Sequence, residues 1–83
     1  MNYTVVFVPS AEGQLAAIWT ASANRNAVTR AADRVDQLLG TAPAGVGESR
    51  GDRFRVLIEL PLTVYYEVHE ADRRVQVLRV VGR

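Results

Sequence analysis

The sequence contains no cysteine, no lysine and a single histidine. Without cysteine, neither a disulfide framework nor a thiolate metal site can form, which makes a reducing compartment the simplest location. A metal site is not expected, because His69 has no second nitrogen or sulfur ligand to join it. No stretch approaches the roughly 18 apolar residues of a membrane span, and the first residues do not resemble a signal peptide. We therefore predict a cytoplasmic protein without a cofactor or a membrane association.

All ten basic residues are arginine, but nine acidic residues leave a formal net charge of only +1. The chain as a whole therefore lacks the strong positive field of a free-standing nucleic-acid-binding protein. Its 83 residues allow one domain, spanning residues 1–83, with a modest core. The predicted helices are rich in alanine and offer little apolar area, so a partner segment could complete their packing.

Two helices are predicted in the first half of the chain. A β-branched and aromatic run at residues 3–8 indicates a first strand that is buried on both faces. Ser10 is expected to cap a helix at residues 11–21, whose apolar residues recur at helical spacing. After a polar break, a second apolar stripe predicts a helix at residues 25–39, with Gly40 as its left-handed cap. The two helices should form a hairpin.

The second half of the chain predicts the sheet. Residues 53–83 contain three apolar, β-rich runs separated by Pro61 and by the polar turn at residues 70–73, which is typical of a three-stranded meander. Residues 48–50 indicate a short additional edge strand. We therefore predict an α+β fold of order β-α-α-β-β-β, in which a helical hairpin packs on one face of a small, mostly antiparallel sheet.

The alternation of side chains along a strand predicts the face that each residue occupies. One set is expected to face the helices: Phe54, Val56, Ile58, Leu60, Val64, Tyr66 and Val68. The other set is expected on the open face: Arg53, Arg55, Leu57, Glu59, Thr63, Tyr65, Glu67, His69, Val77, Arg79, Val81 and Arg83. The open face should therefore be polar, aromatic and rich in arginine, and any site is expected there.

Three arginines are the candidate catalytic residues: Arg55, Arg79 and Arg83. Guanidinium groups match phosphate oxygens bidentately and do not deprotonate, so three of them on one face could clamp a phosphate. The alternative is that Glu59 and Glu67 neutralise these arginines across the strands.

Four further residues are candidates for contacts with nucleic acid or phosphate: Arg50, Arg53, Tyr65 and His69. The two arginines flank the same edge of the sheet. Tyr65 could stack on a base or simply pack across the strands. The imidazole of His69 suits acid–base chemistry, but a histidine at a strand end is often only solvated. Trp19 is expected either in the core or at a groove for a partner.

Four stretches of the sequence carry a resemblance to a known family. They are residues 5–11 (VVFVPSA) at the entry to a helix, 47–50 (GESR) before the meander, and 64–68 (VYYEV) and 75–80 (VQVLRV) within it. In this order and at this spacing they resemble the RelE/ParE superfamily of toxins from bacterial type II toxin–antitoxin systems, which includes plasmid stabilisation proteins. The resemblance covers essentially the whole chain.

The resemblance implies the toxin component of such a module, neutralised by a cognate antitoxin. Members of the RelE type cleave messenger RNA in the ribosomal decoding site, whereas members of the ParE type inhibit DNA gyrase. Ribosome-bound mRNA and gyrase are therefore both candidate targets. A degenerate, non-catalytic protein-interaction module is the alternative, and a homodimer is left open.

Position by position, the pattern of the RelE-type nucleases is incomplete. Arg55 matches a basic position on the first meander strand, and Arg83 matches the arginine just after the last strand. Leu57 and Thr63 stand where that pattern has further basic residues, and the sequence lacks its C-terminal tyrosine. The resemblance therefore implies an endoribonuclease (mRNA interferase) site with part of its residues missing.

Overall fold

The computed structural model describes residues 2–82 and confirms the predicted α+β fold. The elements are β1 (Thr4–Phe7), α1 (Pro9–Ala21), α2 (Arg25–Thr41), β2 (Glu48–Ser49), β3 (Phe54–Glu59), β4 (Leu62–His69) and β5 (Arg74–Gly82). They form one five-stranded sheet of order β1-β5-β4-β3-β2. β1 runs parallel to β5, and every other neighbouring pair is antiparallel. The helical hairpin, the meander and the short edge strand are thus present as predicted.

The first strand and the first helix differ from the prediction in detail. β1 is an edge strand, and its Val6 is exposed, so the prediction that it is buried on both faces is wrong. α1 begins at Pro9, and its N-cap is Val8, which makes no side-chain cap. Proline suits the first helical position because its ring presets the helical φ, and this moves the start ahead of Ser10. Ser10 is therefore inside the helix and not its cap.

The second helix is capped by a side chain at its start and runs past the predicted end. The Oδ1 of Asn24 accepts a hydrogen bond from the Ala27 backbone N–H at 3.1 Å. Gly40 lies within the helix and not at a left-handed cap. Its carbonyl oxygen accepts a hydrogen bond of 2.7 Å from the Tyr3 backbone N–H, so the helix end is tied to the chain entering β1. Within residues 2–82, neither helix combines the length and apolar character needed to cross a membrane.

The core lies between the helical hairpin and one face of the sheet. α2 contributes most of the helical part, whereas Ala11 is the residue of α1 that is fully buried. The buried cluster contains Val28, Ala31, Val35 and Leu39 of α2 and, from the sheet, Leu57, Leu62, Val64, Tyr66, Val68, Val75, Val77 and Val80. This face is filled largely by branched side chains, as expected for a sheet covered on one side.

The two faces of β3 are the reverse of those predicted. Arg55 lies directly opposite Tyr66, and Leu57 lies opposite Val64, so both face the helices. Leu57 is only 7% exposed, whereas Ile58 is 65% exposed on the open face. Both alternating sets of this strand contain apolar residues, so its own pattern does not fix the face, and pairing with β4 decides it.

The reversal places other β3 side chains on unexpected faces as well. Phe54 and Ile58 are exposed on the open side, and Val56 lies there opposite Tyr65. Leu60, in the turn after the strand, is also exposed instead of buried. Glu59 instead points towards the helices, where one of its oxygens lies 4.0 Å from the Arg34 Nε of α2. The open face is consequently more apolar than the sequence predicted.

A β-bulge in β5 accounts for the last difference. Tyr65 lies opposite Arg79, but the next residue, Tyr66, lies opposite Val77, so Leu78 is an extra residue in the strand. The alternation therefore reverses at this point. Val77 is fully buried in the core and not on the open face as predicted, whereas Arg79 is on the open face as predicted.

Candidate functional site

The open face of the sheet carries an arginine–aromatic pair. The guanidinium carbon of Arg79 lies 5.5 Å from the centroid of the Tyr65 ring, which is within the range of a cation–π contact. Both residues are exposed, and the ion pairs found within residues 2–82 do not include Arg79. This guanidinium is therefore available to an anionic or aromatic group of a binding partner.

The other basic side chains predicted for this face lie beside acids. Glu67 lies 3.4 Å from the Arg53 Nε and 2.9 Å from the His69 Nε2, so one carboxylate serves both side chains. Arg50 lies 3.1 Å from a carboxylate oxygen of Glu48. The ion-pair alternative named Glu59 and Glu67 as the partners of Arg55, Arg79 and Arg83. Within residues 2–82, Glu59 instead lies beside Arg34 and Glu67 beside Arg53, so these acids do not pair with Arg55 or Arg79.

Arg55 lies on the other side of the sheet and holds a loop. Its Nε donates a hydrogen bond to the Val46 carbonyl oxygen, and its Nη2 donates one to the Gly47 carbonyl oxygen, each at 3.2 Å. Because Arg55 faces the helices, it does not share a surface with Arg79. The predicted clamp of several arginines on one face is therefore not assembled by these two residues, and Arg83 lies outside the described residues.

Tyr66 completes this attachment, which we call the loop clasp (Arg55, Tyr66 and the carbonyl groups of residues 43, 46 and 47). The Tyr66 hydroxyl lies 2.8 Å from the Pro43 carbonyl oxygen and 2.9 Å from that of Val46, and its single proton can be donated to one of them at a time. Burial raises the pKa of the Tyr66 hydroxyl, and the neighbouring Arg55 partly opposes this. Sequence reasoning missed the clasp, because its partners are 8 to 23 residues apart.

The described part of the open face lacks a compact set of catalytic groups. Tyr65 and His69 are four residues apart on β4, or about 13 Å along the strand. Within residues 2–82, no group of three or more histidine, aspartate or glutamate residues is arranged to hold a metal ion. The arrangement can bind a planar or anionic group at Arg79 and Tyr65, next to the exposed apolar side chains of Phe54 and Ile58.

A second surface is a groove between α1 and α2, with a volume of about 690 Å³. Its lining residues are Phe7, Glu12, Leu15, Ala16, Trp19, Thr20, Val28, Thr29, Ala32 and Asp33. Trp19 is 42% exposed, and its Nε1 donates a hydrogen bond to the Thr29 Oγ1 at 3.2 Å, which ties the two helices together. Of the two places predicted for Trp19, the structure shows the groove.

The sequence matches no protein-family model, and no similar curated protein is found. Solved structures share the fold. A chain of the toxin–antitoxin complex RelBE2 from Mycobacterium tuberculosis superposes with a TM-score of 0.82 at 19% identity, covering 100% of this chain and 93% of that chain. For the chromosomal ParDE system of P. aeruginosa the TM-score is 0.71 at 20% identity, covering 96% and 95%. For the isolated RelE toxin of E. coli it is 0.70 at 14% identity, covering 96% and 83%.

These similarities confirm that the protein has the RelE/ParE fold over essentially its whole length. Structures of RelE and of a ParDE system both match, so the fold does not separate one candidate target from the other.

Proposed function

We propose that this protein is the toxin component of a type II toxin–antitoxin pair and is neutralised by a cognate antitoxin. The observation that carries the proposal is the agreement in fold over nearly the full length of both chains with proteins from toxin–antitoxin systems. The exposed apolar side chains of Phe54, Ile58 and Leu60 support it, because exposed apolar patches mark surfaces that bind other molecules.

Between the two targets, we favour inhibition of DNA gyrase over cleavage of messenger RNA. Cleavage next to a ribose 2′-hydroxyl needs a base, an acid and cations around the scissile phosphate. Among the arginines of the described open face, Arg79 lies outside an ion pair, whereas Arg53 and His69 both contact the carboxylate of Glu67. A single guanidinium can bind a phosphate, but it does not supply the acid and the base.

Regulated expression in a bacterial host tests the proposal. We expect growth arrest on induction, relief of the arrest when the product of the adjacent small open reading frame is co-expressed, and gyrase-linked DNA breaks without new messenger RNA ends. Cleaved messenger RNA would reverse the choice of target. Normal growth at a verified level of folded protein would overturn the toxin proposal and favour the non-catalytic interaction module.

A pair of arginine variants tests whether the open face is the acting surface. Arg79→Ala removes the guanidinium that lies beside Tyr65 outside the ion pairs of residues 2–82. We therefore expect at least tenfold more colonies to survive induction of this variant, while its folding is retained. Arg30→Ala, which removes an exposed arginine from α2, is the matched control and should leave the arrest unchanged. Full arrest by the Arg79 variant would exclude this face.

A further inference from the structure

The strand β5 loses its neighbouring strand on one side partway along its length. β1 pairs with residues 74–77 of β5. One further hydrogen bond on this side runs from the Val8 backbone N–H to the Val77 carbonyl oxygen, at 3.0 Å. The chain then enters α1 at Pro9 and leaves the sheet. In the part of the chain that the structure describes, residues 78–82 therefore have no strand beside them on this side.

A glutamine of α1 supplies a hydrogen-bond acceptor to this uncovered edge. The Gln14 Oε1 accepts a hydrogen bond from the Val80 backbone N–H at 2.8 Å. Val80 is only 3% exposed, so its N–H is shielded from water and needs an acceptor within the protein. Ile18, one turn further along α1, lies against Gly82. The helix thus runs beside the second half of β5.

The N–H group that Gln14 binds points to this edge because of the β-bulge. Backbone groups of successive residues in a strand alternate between its two edges. The Val77 carbonyl points to the β1 side, so in a regular strand residue 79 would be the next to point there. The extra residue, Leu78, reverses the alternation and makes Val80 point there instead. Gln14 therefore binds a group that this edge presents only in the bulged strand.

The same bulge decides the face of Arg79. Val77 lies in the core, and regular alternation would place residue 79 on the core side as well. With Leu78 as an extra residue, Val80 occupies the core and Arg79 lies on the open face opposite Tyr65. One irregularity of the backbone therefore sets both the hydrogen bond of Val80 and the position of the Arg79 guanidinium.

We propose that Gln14 is a positioning residue, which holds the bulge of β5 and thereby keeps Arg79 beside Tyr65. Burial of Val80 also favours the bulge, but apolar burial has no directional preference, whereas a hydrogen bond fixes the direction of the N–H. The inference rests on the proposed function in one respect, because it bears on growth arrest only if the open face is the acting surface.

Nuclear magnetic resonance tests the inference without reference to growth. The Tyr65 ring shifts the resonances of the Arg79 side-chain protons, and Tyr65→Leu gives the reference without this ring. Gln14→Leu removes the acceptor at similar size, whereas Gln14→Glu keeps an acceptor oxygen at the same reach. We expect Gln14→Leu to lose most of the Arg79 shift and Gln14→Glu to retain it. The Val80 amide should exchange with solvent at least about tenfold faster in Gln14→Leu than in Gln14→Glu.

Two further variants separate positioning from general loss of structure. Gln37→Leu is the matched control, because Gln37 is an exposed glutamine of α2, and it should leave the Arg79 shift unchanged. Gln14→Asn has a side chain one carbon shorter, which does not reach the Val80 N–H, and it replaces Gln14→Leu if that variant does not fold. A folded Gln14→Leu or Gln14→Asn that keeps the full Arg79 shift, or whose Val80 amide exchanges no faster than in Gln14→Glu, would overturn the inference.

Growth arrest supplies a second readout with a distinct failure. If Gln14 acts through Arg79, Gln14→Leu should raise survival, and the double variant with Arg79→Ala should survive no better than Arg79→Ala alone. Greater survival of the double variant would show a role of Gln14 outside positioning and would contradict the inference. If the unsubstituted protein does not arrest growth but the Arg79 shift depends on Gln14 as expected, the proposed function fails and the positioning role stands.

Discussion

Replacing Tyr66 by phenylalanine should destabilise the protein, whereas the same change at the neighbouring Tyr65 should not. Tyr66 is 1% exposed, and its ring belongs to the buried cluster. Phenylalanine keeps this ring and removes only the hydroxyl that contacts the carbonyl oxygens of Pro43 and Val46. The change thus isolates the contribution of one group in the loop clasp.

The magnitude follows from what each carbonyl group retains. The Val46 oxygen keeps its hydrogen bond from Arg55, but the Pro43 oxygen loses the Tyr66 donor. A net buried hydrogen bond contributes about 0.5–1.5 kcal/mol, and a buried acceptor left without a donor costs about 1–3 kcal/mol. Because Pro43 is itself buried, we expect the free energy of unfolding to fall by about 1–2 kcal/mol. For a domain of this size, that lowers the Tm by roughly 5–15 °C.

Urea denaturation followed by circular dichroism measures this difference. Tyr65→Phe is the matched control, because Tyr65 is exposed and its ring can still pack under Arg79 after the change. We expect the control to stay within about 0.5 kcal/mol of the unsubstituted protein. If Tyr66→Phe is no less stable than Tyr65→Phe, the loop clasp does not hold the loop, and the reasoning is refuted.

The unsubstituted protein and Tyr66→Phe should respond differently to alkaline pH. Burial raises the pKa of Tyr66 in the folded state above its ordinary value of 10.0. Above about pH 10 the unfolded state loses this proton first and is favoured, so the free energy of unfolding falls by up to about 1.4 kcal/mol per pH unit. Tyr66→Phe lacks this hydroxyl, so its stability deficit relative to the unsubstituted protein should narrow as the pH rises above about 10. A deficit that stays constant over this range would contradict the burial of the hydroxyl.

Two further predictions concern pairs of positions, and chemical denaturation measures each of them. Leu57→Arg should unfold the protein or destabilise it by more than about 3 kcal/mol, because it buries an unpaired charge, whereas Thr63→Arg on the open face should remain folded. Gly47→Ala should lower the free energy of unfolding by at least about 1 kcal/mol more than Gly51→Ala does. Both glycines have positive φ, at 70° and 103°, but only at Gly47 would a Cβ meet backbone, 2.5 Å from the Val56 oxygen. Equal losses within either pair would contradict the assigned surroundings.

The sequence predicted those elements that depend on local signals. The helical periods, the turn at residues 70–73 and the proline between β3 and β4 were sufficient for the helices and the meander. The prediction of which β3 residues face the helices was wrong. Leu57 alternates with Val56 and Ile58, so both alternating sets of side chains contain apolar residues. Only pairing with β4 selects Leu57 for the core, and that pairing is not a local property.

The candidate site was less predictable for the same reason. The bulge at Leu78 brings Arg79 next to Tyr65, and no pattern in β5 marks an inserted residue. The loop clasp joins Arg55 to Val46 across a turn and an edge strand. The groove was better indicated, since a groove for a partner was one of the two places predicted for Trp19.

Arg55 shows why a match in sequence position is not a match in role. It stands at a basic position of the RelE-type pattern, yet its guanidinium holds the carbonyl oxygens of Val46 and Gly47 on the helix side of the sheet. Loss of growth arrest in Arg55→Ala would therefore have two explanations, a missing catalytic cation or a loosened loop. Arg55→Lys separates them, because lysine keeps the charge but lacks the planar donor pair that spans two carbonyl groups. We expect Arg55→Lys to lose as much stability as Arg55→Ala, and we expect growth arrest to weaken in both variants in proportion to that loss. If a variant keeps its stability but no longer arrests growth, Arg55 belongs to the acting site.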